Sequence, residues 1–267
     1  MPDKERLDVL LRDRGLCRSR EKAKREIMAG NVYVSGQLSD KPGEQVPRES
    51  EISIERDEKR FVSRGGEKLE GALEGFDVDV RGKKVLDIGA STGGFTDCLL
   101  KNGAEKVHAL DVGKGQLDWH LRQDERVVPI EGKNARYLEK EEIGTSVDLV
   151  TIDVSFISLE LVLPNAKNVL GKHGEIIALV KPQFEAGPEK VEDGGVVTDP
   201  GVHLGVLEKV RDVGEETGLY LVNCTYSSIQ GKSSENIEYF FHLSTSTEHD
   251  PFQDLRGVIE DAHENFS

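Results

Sequence analysis

The chain has 267 residues and a formal net charge of −15 at pH 7, and 36% of its residues are hydrophobic. This length fits one large or two ordinary domains, and no apolar run reaches the roughly 18 residues of a membrane-spanning helix. The first residues also lack the apolar segment of a secretory signal peptide, so the composition favours a soluble, cytoplasmic protein. The three cysteines, Cys17, Cys98 and Cys224, form no CxxC or Cys/His cluster, which predicts neither a disulfide framework nor a metal site.

The N-terminal part is predicted to form two helices followed by two strands. Leu7, Leu10 and Leu11 lie on one face of a helix in "ERLDVLLRDRG". Ser19 is a suitable N-cap for a second helix in "REKAKREIMAG", which ends at a glycine. The alternating runs "NVYVSG" and "SEISIE" are typical of strands. This order predicts a small α+β domain over residues 1–58.

A basic run interrupts the chain near its start. Residues 1–57 contain 12 Lys/Arg and 12 Asp/Glu, whereas residues 58–267 contain 23 and 38. Within the neutral part, "RDRGLCRSREKAKR" has seven basic and two acidic residues. A charge run by itself is more often a solvated helix face than a binding site, so the charges alone do not show a nucleic-acid partner.

The segment "SREKAKREIMAGNVYVSGQ" resembles the small RNA-binding module that is named after a small-subunit ribosomal protein and is shared by pseudouridine synthases. In that family the second helix and the following strand face RNA. The resemblance therefore implies that basic side chains of this helix and of the turn before it contact RNA phosphates. These side chains are Arg18, Arg20, Lys22, Lys24 and Arg25.

Beyond a polar linker expected at residues 59–63, strand-like and helix-like runs alternate. Seven runs are strand-like, from "KKVLDI" to "NIEYFFHLS", and helix-length patterns separate most of them. Such alternation predicts an α/β domain over residues 64–245, with a mainly parallel sheet and helices on both faces. The last two runs have only "QGKSSE" between them, which predicts an antiparallel hairpin at one sheet edge. A seven-stranded sheet with its last strand reversed resembles the Rossmann-like fold of class I methyltransferases.

The C-terminal residues 246–267 form an acidic tail. From Glu248 onward they contain six Asp/Glu and one Arg. This composition is typical of a disordered or halophilic extension, and no function is assigned to it.

The turn "GASTG" after the first strand of the α/β domain has two interpretations. As G-x-S-x-G it matches the nucleophile elbow of an α/β-hydrolase, with Ser91 as nucleophile. Asp153 with His203 or His242 would then complete the triad. As a glycine-rich strand-to-helix turn it is typical of a nucleotide-cofactor site. The elbow is disfavoured because the turn follows the first strand of its domain and no HGGG-type segment precedes it.

The same turn departs from the G-x-G-x-x-G spacing, because Ser91 stands where the second glycine of a pyrophosphate loop belongs. S-adenosylmethionine has no phosphates, so it needs only room and backbone donors for its methionine carboxylate at a helix start. Asp111 lies 22 residues beyond Gly89, where an acidic residue takes ribose hydroxyls. Asn134 follows the third strand, where this fold usually meets adenine. The predicted cofactor-binding residues are Asp87, Gly89, Ser91, Gly93, Gly94, Asp111 and Asn134.

Ionisable residues follow several predicted strands. Asp87, Asp111, Asp153 and Lys181 each end an apolar run. A strand that emerges into solvent explains any one of them. Open parallel sheets bind ligands beyond the carboxyl ends of their strands, so four such residues on one edge favour a functional site.

Five longer motifs, "VSRGGEKL", "DIGASTGGFTDCLL", "ALDVGKGQLDWHLRQDERV", "TIDVSFISL" and "LVKPQFEAG", resemble the hemolysin A / TlyA family of ribosomal RNA methyltransferases. Members of that family resemble FtsJ-type 2′-O-methyltransferases, which use a Lys-Asp-Lys-Glu tetrad. Matched motif by motif, the resemblance implies a tetrad of Lys68, Asp153, Lys181 and Glu238. Glu235 stands where the family usually has glycine, which leaves the shape of that turn undecided.

The resemblance implies methyl transfer from S-adenosylmethionine to a ribose 2′-hydroxyl of ribosomal RNA, free or in ribosomal subunits. Such an enzyme must orient the hydroxyl in line with the methyl group and receive its proton. Lys181 is the expected base, Asp153 positions it and the methyl donor, and Lys68 and Glu238 align the hydroxyl. Phe156 and Phe184 are expected in the core or as walls of the site rather than as base-stacking platforms.

Three other classes of function are weighed against this one. A non-catalytic RNA- or ribosome-binding factor would keep the fold without binding the cofactor. A hemolysin-type, membrane-active protein is suggested by the older family name, but the absence of a spanning segment or a strongly amphipathic basic helix speaks against it. A nicotinamide-dependent oxidoreductase fits the fold less well.

Overall fold

The computed structural model describes residues 4–28, 30–54, 60–230 and 236–266. Contacts divide the chain into two compact units, Met1–Arg60 and Phe61–Ser267. Of the linker expected at 59–63, residue 59 lies outside the described residues, and Phe61 is only 2% exposed in the core of the second unit.

The first unit consists of short strands around two helices. Its elements are β1 (Lys4–Arg6), α1 (Leu7–Asp13), α2 (Arg20–Met28), β2 (Val32–Val34), β3 (Gln37–Leu38), β4 (Gln45–Pro47) and β5 (Ile52–Ile54). Strand β2 pairs antiparallel with β3 and β5, and β1 pairs antiparallel with β4. Leu7, Leu10 and Leu11 pack with Ile27 and Val32 in one core, as the helical spacing predicts.

The second unit carries an alternating series of strands and helices. In chain order its helices and strands are α3 (Arg64–Gly75), β6 (Lys84–Ile88), α4 (Gly94–Lys101), β7 (Lys106–Asp111), α5 (Trp119–Gln123), β8 (Val127–Glu131), α6 (Lys140–Ile143), β9 (Val147–Ile152), α7 (Leu163–Val169), β10 (Leu170–Val180), α8 (Pro182–Glu185), α9 (Pro200–Glu216), β11 (Tyr220–Tyr226), β12 (Tyr239–Ser244) and α10 (Leu255–Asn265). Single-turn 3₁₀ helices lie at Ala135–Tyr137, Leu159–Leu161 and Pro188–Lys190.

The seven strands of this unit form one sheet in the order β11-β12-β10-β9-β6-β7-β8. Strand β12 runs antiparallel to both of its neighbours, and the pairs from β10 to β8 are parallel. The sheet agrees with the prediction. The antiparallel pair of β11 and β12 lies at one edge, and β12 lies between β11 and β10. The carboxyl ends of β6, β7, β9 and β10 consequently meet at one edge of the sheet.

Both faces of the sheet are covered, as expected for buried parallel strands. Alternate residues of one strand serve the two faces: Leu149 and Ile177 belong to the core that includes α3 and α4, whereas Val150 and Ala178 belong to the core on the opposite face. Among the described residues, no helix is both long and apolar enough to cross a membrane.

The expectation of a disordered acidic tail is wrong for residues 255–265. Helix α10 packs on α9 and β11 and buries Leu255, Ile259 and Ala262, which recur at helical spacing. Asp254 caps the helix, because its side chain accepts a hydrogen bond from the Gly257 amide. The acidic residues occupy the other faces of α10, so composition alone concealed an amphipathic helix.

Candidate active site

An ion pair joins two of the strand-end residues. Asp153 directly follows β9, and its amide donates to the Ile88 carbonyl at 2.9 Å, which holds it against the end of β6. Lys181 directly follows β10. Its Nζ lies 2.5 Å from Asp153 Oδ1 and donates to Ser155 Oγ at 3.1 Å. The Lys181 side chain is only 11% exposed, so its amine has little access to water other than through this site.

A second ion pair lies at the same edge of the sheet. Lys68 on α3 donates from Nζ to Glu238 Oε2 at 2.5 Å, and the two side chains are 12% and 5% exposed. Strand β12 runs antiparallel to β10, and Val180 at the end of β10 pairs with Tyr239 at the start of β12. Lys181 follows Val180 and Glu238 precedes Tyr239, so the two residues lie at the same end of this strand pair. The four residues of the predicted tetrad therefore form two oppositely charged pairs at one sheet edge.

Beside these pairs lies a cleft of about 460 Å³, which is in the size range of small-molecule sites. Its lining includes four of the predicted cofactor residues, Gly89, Ser91, Asp111 and Asn134, together with Asp153. The apolar part of the lining consists of Ile88, Leu110, Val112, Ala135, Val154, Phe156 and Ile157. The site thus combines hydrophobic walls with a few polar groups.

Within the cleft, Asp111 connects two loops. Its Oδ2 accepts from the Ser91 amide at 2.8 Å and its Oδ1 accepts from the Gly113 amide at 2.6 Å. Ser91 has a left-handed φ of +49°, so the turn curves its backbone towards Asp111. The contact between Ser91 and Asp111 is thus made by the Ser91 backbone amide and not by its hydroxyl.

The hydrolase interpretation requires Ser91, Asp153 and a histidine to come together, and the two candidate histidines contact other groups. The His203 ring contacts Tyr239 and the Val197 carbonyl, and His242 Nε2 contacts Glu175 Oε1 at 2.9 Å. Both histidines named for a triad therefore have other partners, and Asp153 is paired with Lys181.

The glycines of the turn are required by the protein chain itself. A Cβ on Gly89, whose φ is +85°, would overlap the Asp153 carbonyl oxygen. A Cβ on Gly94 would overlap Ser63 Oγ, directly before α3, and the space beside Gly93 is filled by Leu121. Gly93 and Gly94 lie outside the lining of this cleft, and their contact with a cofactor stays a prediction. Their role is to let α3 and α5 approach the start of α4.

Asp87 is fully buried and also lies outside the lining of the cleft. Its carboxyl group accepts hydrogen bonds from the Thr96 hydroxyl at 2.6 Å and the Thr151 hydroxyl at 3.0 Å. Burial raises the pKa of Asp87 to about 7, although these two hydrogen bonds oppose the shift. Asp87 thus connects α4 with β9 from the interior, and its contact with a cofactor stays a prediction.

At the far end of the cleft, Asn134 is exposed and caps a 3₁₀ helix. Its Oδ1 accepts from the Arg136 amide at 2.9 Å. The side-chain oxygen is therefore engaged locally, and the remaining polar edge of this end is formed by Lys133 and Gln116.

Phe156 lies at the rim of the cleft, and of the two predicted positions, core or wall, the structure agrees with the wall. Its ring is 91% exposed, its φ is +63°, and its ring centroid lies 4.8 Å from that of Phe184. A core position for Phe156 is excluded, whereas its place in the lining agrees with a wall of the site. A bulky side chain held in the left-handed region is uncommon and is typical of functional sites.

Two further residues near the tetrad, Gln183 and Asn236, lie within or beside the family motifs but were assigned no role from the sequence. Gln183 Nε2 lies 3.4 Å from Glu238 Oε1, and Asn236 bonds to the backbone of residues 195 and 197. Their partners come from separate segments, so only the folded chain identifies them. Glu235 lies outside the described residues.

In the first unit, the five basic residues predicted to bind RNA differ in their surroundings. Arg20 pairs with Asp8, Lys22 with Glu26 and Lys24 with Glu21, whereas Arg18 and Arg25 are exposed. Burial alone would raise the pKa of Asp8, but hydrogen bonds from Arg6 and Arg20 outweigh it and lower the pKa to about 2. Arg20 is thus oriented by a buried carboxylate.

Comparison with known proteins gives the family. The FtsJ-like methyltransferase model matches residues 61–245, and the S4 domain model matches residues 5–52. The chain belongs to the FtsJ-like methyltransferase family and carries an S4 domain ahead of the methyltransferase domain.

Several relatives match over most of their length. The chain is 46% identical over 249 residues to the 16S/23S rRNA (cytidine-2′-O)-methyltransferase TlyA of Mycobacterium tuberculosis, covering 93% of this chain and 92% of that one. It is 42% identical to hemolysin A of Brachyspira hyodysenteriae, covering 89% and 99%. A solved structure described as a hemolysin from Streptococcus thermophilus is 44% identical, with a TM-score of 0.76 and coverage of 100% and 98%.

Proposed function

We propose that this protein transfers a methyl group from S-adenosylmethionine to a ribose 2′-hydroxyl of ribosomal RNA. The observation that carries the proposal is the assembly of Lys68, Asp153, Lys181 and Glu238 as two ion pairs at the sheet edge, beside the cleft. The TlyA relative named above is an rRNA cytidine-2′-O-methyltransferase, which supports the same reaction for this chain.

The chemistry of the cleft suits S-adenosylmethionine. Asp111 offers carboxylate oxygens to a ribose diol, and aliphatic side chains on several loops offer walls for an adenine ring. Asp153 provides a negative charge that suits a sulfonium. When bound, the cofactor would supply an activated methyl group.

The tetrad residues have distinct parts in the proposed reaction. Asp153 holds Lys181 Nζ at one point, and Lys68 with Glu238 orients the incoming 2′-hydroxyl. An ammonium has donors only, so Lys181 takes the hydroxyl proton as the neutral amine and becomes charged as the ribose oxygen gains its methyl group. The ribose oxygen loses its proton to Lys181 and gains the methyl carbon, whose bond to the cofactor's sulfur would break to leave a neutral thioether.

RNA contact is assigned to two parts of the chain. Arg18, Arg20 and Arg25 of the S4 domain would contact phosphates, with Lys22 and Lys24 exchanging their acidic partners for RNA. Phe156 would stack on an unpaired base at the cleft, because exposed aromatic rings are the usual platforms for single-stranded RNA. This last role replaces the expectation that Phe156 serves only as a wall.

The test is tritium transfer from labelled S-adenosylmethionine to ribosomal RNA and to ribosomal subunits. The wild type should label RNA on ribose 2′-oxygens, and Lys181→Ala should lose at least about a hundredfold in rate, the lower part of the range for an acid–base group. Lys172→Ala is the matched control, since Lys172 is exposed at the other end of β10. A Lys181→Ala enzyme as fast as the control contradicts the assignment, and wild-type protein that binds RNA without transferring methyl groups contradicts the proposed function.

A further inference from the structure

Glu238 is held differently from the two strand-end members of the tetrad. Asp153 and Lys181 follow β9 and β10, whereas Glu238 lies one residue ahead of β12. On the side of β11, its carbonyl accepts from the Ser227 amide at 2.7 Å. A second set of contacts holds the chain on the N-terminal side of Glu238 and forms an anchor there.

Asn236 supplies that anchor through both ends of its carboxamide. The side-chain Oδ1 accepts from the Val197 amide at 3.0 Å, and Nδ2 donates to the Gly195 carbonyl at 2.9 Å. Asn236 is 1% exposed, so these hydrogen bonds are sheltered from competing water.

The segment that receives Asn236 is itself well supported. The Glu192 amide donates to the Val196 carbonyl at 2.8 Å, which closes a turn. Val197 is 3% exposed, and its carbonyl lies 2.9 Å from His203 Nε2 on α9. Asn236 thus links the start of β12 to a turn that is fixed against α9.

Only one residue separates Asn236 from Glu238, and the spacing of consecutive α carbons is fixed. A displacement at Asn236 therefore moves the Glu238 carboxylate relative to Lys68 on α3 and Gln183 on α8. We propose that Asn236 is a positioning residue that keeps Glu238 in contact with Lys68. This inference rests on the proposed function, in which the Lys68–Glu238 pair orients the ribose hydroxyl.

The first experiment is a double-mutant cycle on single-turnover methyl transfer. Asn236→Ala should lower the rate by about a hundredfold, the effect of a misplacement near 1 Å, while the dissociation constant for S-adenosylmethionine stays that of the wild type. In the Glu238→Ala background, Asn236→Ala should cause no further loss. Equal losses in both backgrounds would overturn the inference, because a general structural role acts without Glu238.

Asn102→Ala is the matched control, since Asn102 also donates from its side chain to a backbone carbonyl, that of Cys98 at 2.9 Å, directly after α4. It should leave the rate unchanged. Asn236→Ser keeps one neutral hydrogen-bonding group in place of two, so its rate should lie between those of the wild type and Asn236→Ala. This milder variant keeps the test open if the alanine variant does not fold.

The second experiment needs no activity. Acylation of Lys68 by an amine-reactive reagent, mapped by peptide mass spectrometry, reports whether the Lys68–Glu238 contact is intact. Labelling should rise in Asn236→Ala to the level of Glu238→Ala and stay at the wild-type level in Asn102→Ala. If Lys68 is labelled in Asn236→Ala only as much as in the wild type, the inference is overturned. If no RNA is methylated by the wild type, the proposed function is refuted, but the labelling experiment still tests the inference.

Discussion

Lys68 and Glu238 are 170 positions apart in the chain, yet their side chains meet at 2.5 Å with little exposure to solvent. Lys68 belongs to the helix before the first strand of the sheet, and Glu238 precedes the last strand. The reversed β12, inserted beside β10, brings them to one edge. The contact therefore forms only when β12 is paired with β10 and α3 is packed on the sheet.

This pair should contribute to folding stability through the cost of leaving one buried charge alone. Glu238→Leu, which strands the Lys68 ammonium, should lower the free energy of unfolding by about 3 kcal/mol. The double variant Lys68→Met/Glu238→Leu should recover most of this loss and still transfer no methyl groups. Urea denaturation measures the first effect and tritium transfer the second; a double variant no more stable than Glu238→Leu would contradict this view of the pair.

The approach of α3 to α4 should be intolerant of a single methyl group. Gly94→Ala places a Cβ against Ser63 Oγ and should lower the free energy of unfolding by about 1–3 kcal/mol through overpacking. Gly71→Ala is the control in α3, where the nearest atom to a new Cβ is Ser228 Oγ at 3.7 Å. That variant should gain about 0.5–1 kcal/mol, because alanine suits a helix interior better than glycine. Thermal and urea unfolding of both variants measures these changes. Equal changes in the free energy of unfolding for Gly94→Ala and Gly71→Ala would contradict the prediction.

Replacing Phe156 should raise the stability of the protein and lower its activity. A left-handed φ of +63° costs a bulky residue about 1–2 kcal/mol, and the ring gains little from burial at 91% exposure. Asn tolerates this conformation, so Phe156→Asn should raise the free energy of unfolding by about 1 kcal/mol. It should also slow methyl transfer, since loss of one base-stacking contact is worth about 1–3 kcal/mol. Phe156→Tyr keeps the ring and should match the wild type in both measurements; a fully active Phe156→Asn would exclude the stacking role.

The stability of the second unit should fall in mild acid because of His203. The Val197 carbonyl can only accept, so Nε2 of His203 carries its proton, and Nδ1 accepts from the Tyr239 hydroxyl at 2.8 Å. His263 Nε2 lies 3.1 Å from the same nitrogen. Burial lowers the pKa of His203 to about 4. Between the unfolded value of about 6.5 and about 4 the unfolded chain binds the extra proton, so up to about 3 kcal/mol of stability is lost as the pH falls through this window.

Urea denaturation at several pH values between 7 and 4 measures this loss. Asp87, whose pKa is raised, acts in the opposite direction and loses stabilisation as the pH rises towards 7, so the comparison must be between variants. His203→Gln should be less stable at pH 7 but should show a flatter decline in acid. His249→Gln, at an exposed tail residue, should decline as the wild type does. If the stability of His203→Gln falls in acid as steeply as that of the wild type, groups other than His203 cause the acid-induced loss of stability.

Local patterns predicted much of the architecture. The leucines of α1 and the alternating apolar runs from β6 to β12 indicated the elements correctly, because each element buries a face set by its own periodicity. The strands β1, β3 and β4 were missed because two or three residues are too few to show a period. The tail was misread because its acidic residues dominate the composition while Leu255, Ile259 and Ala262 form the buried stripe.

For the site, the sequence by itself determined which ionisable residues end the strands, since a parallel sheet places all those ends on one edge. It also identified the methyltransferase and S4 families through motifs. Only the tertiary structure decided that Lys181 pairs with Asp153 and Lys68 with Glu238, that Asp87 supports the site from the interior, and that Asn236 anchors the chain ahead of Glu238. The physical reason is that an element's periodicity depends on its own residues, whereas a side chain's partners depend on strand order, register and the distant segments packed against it.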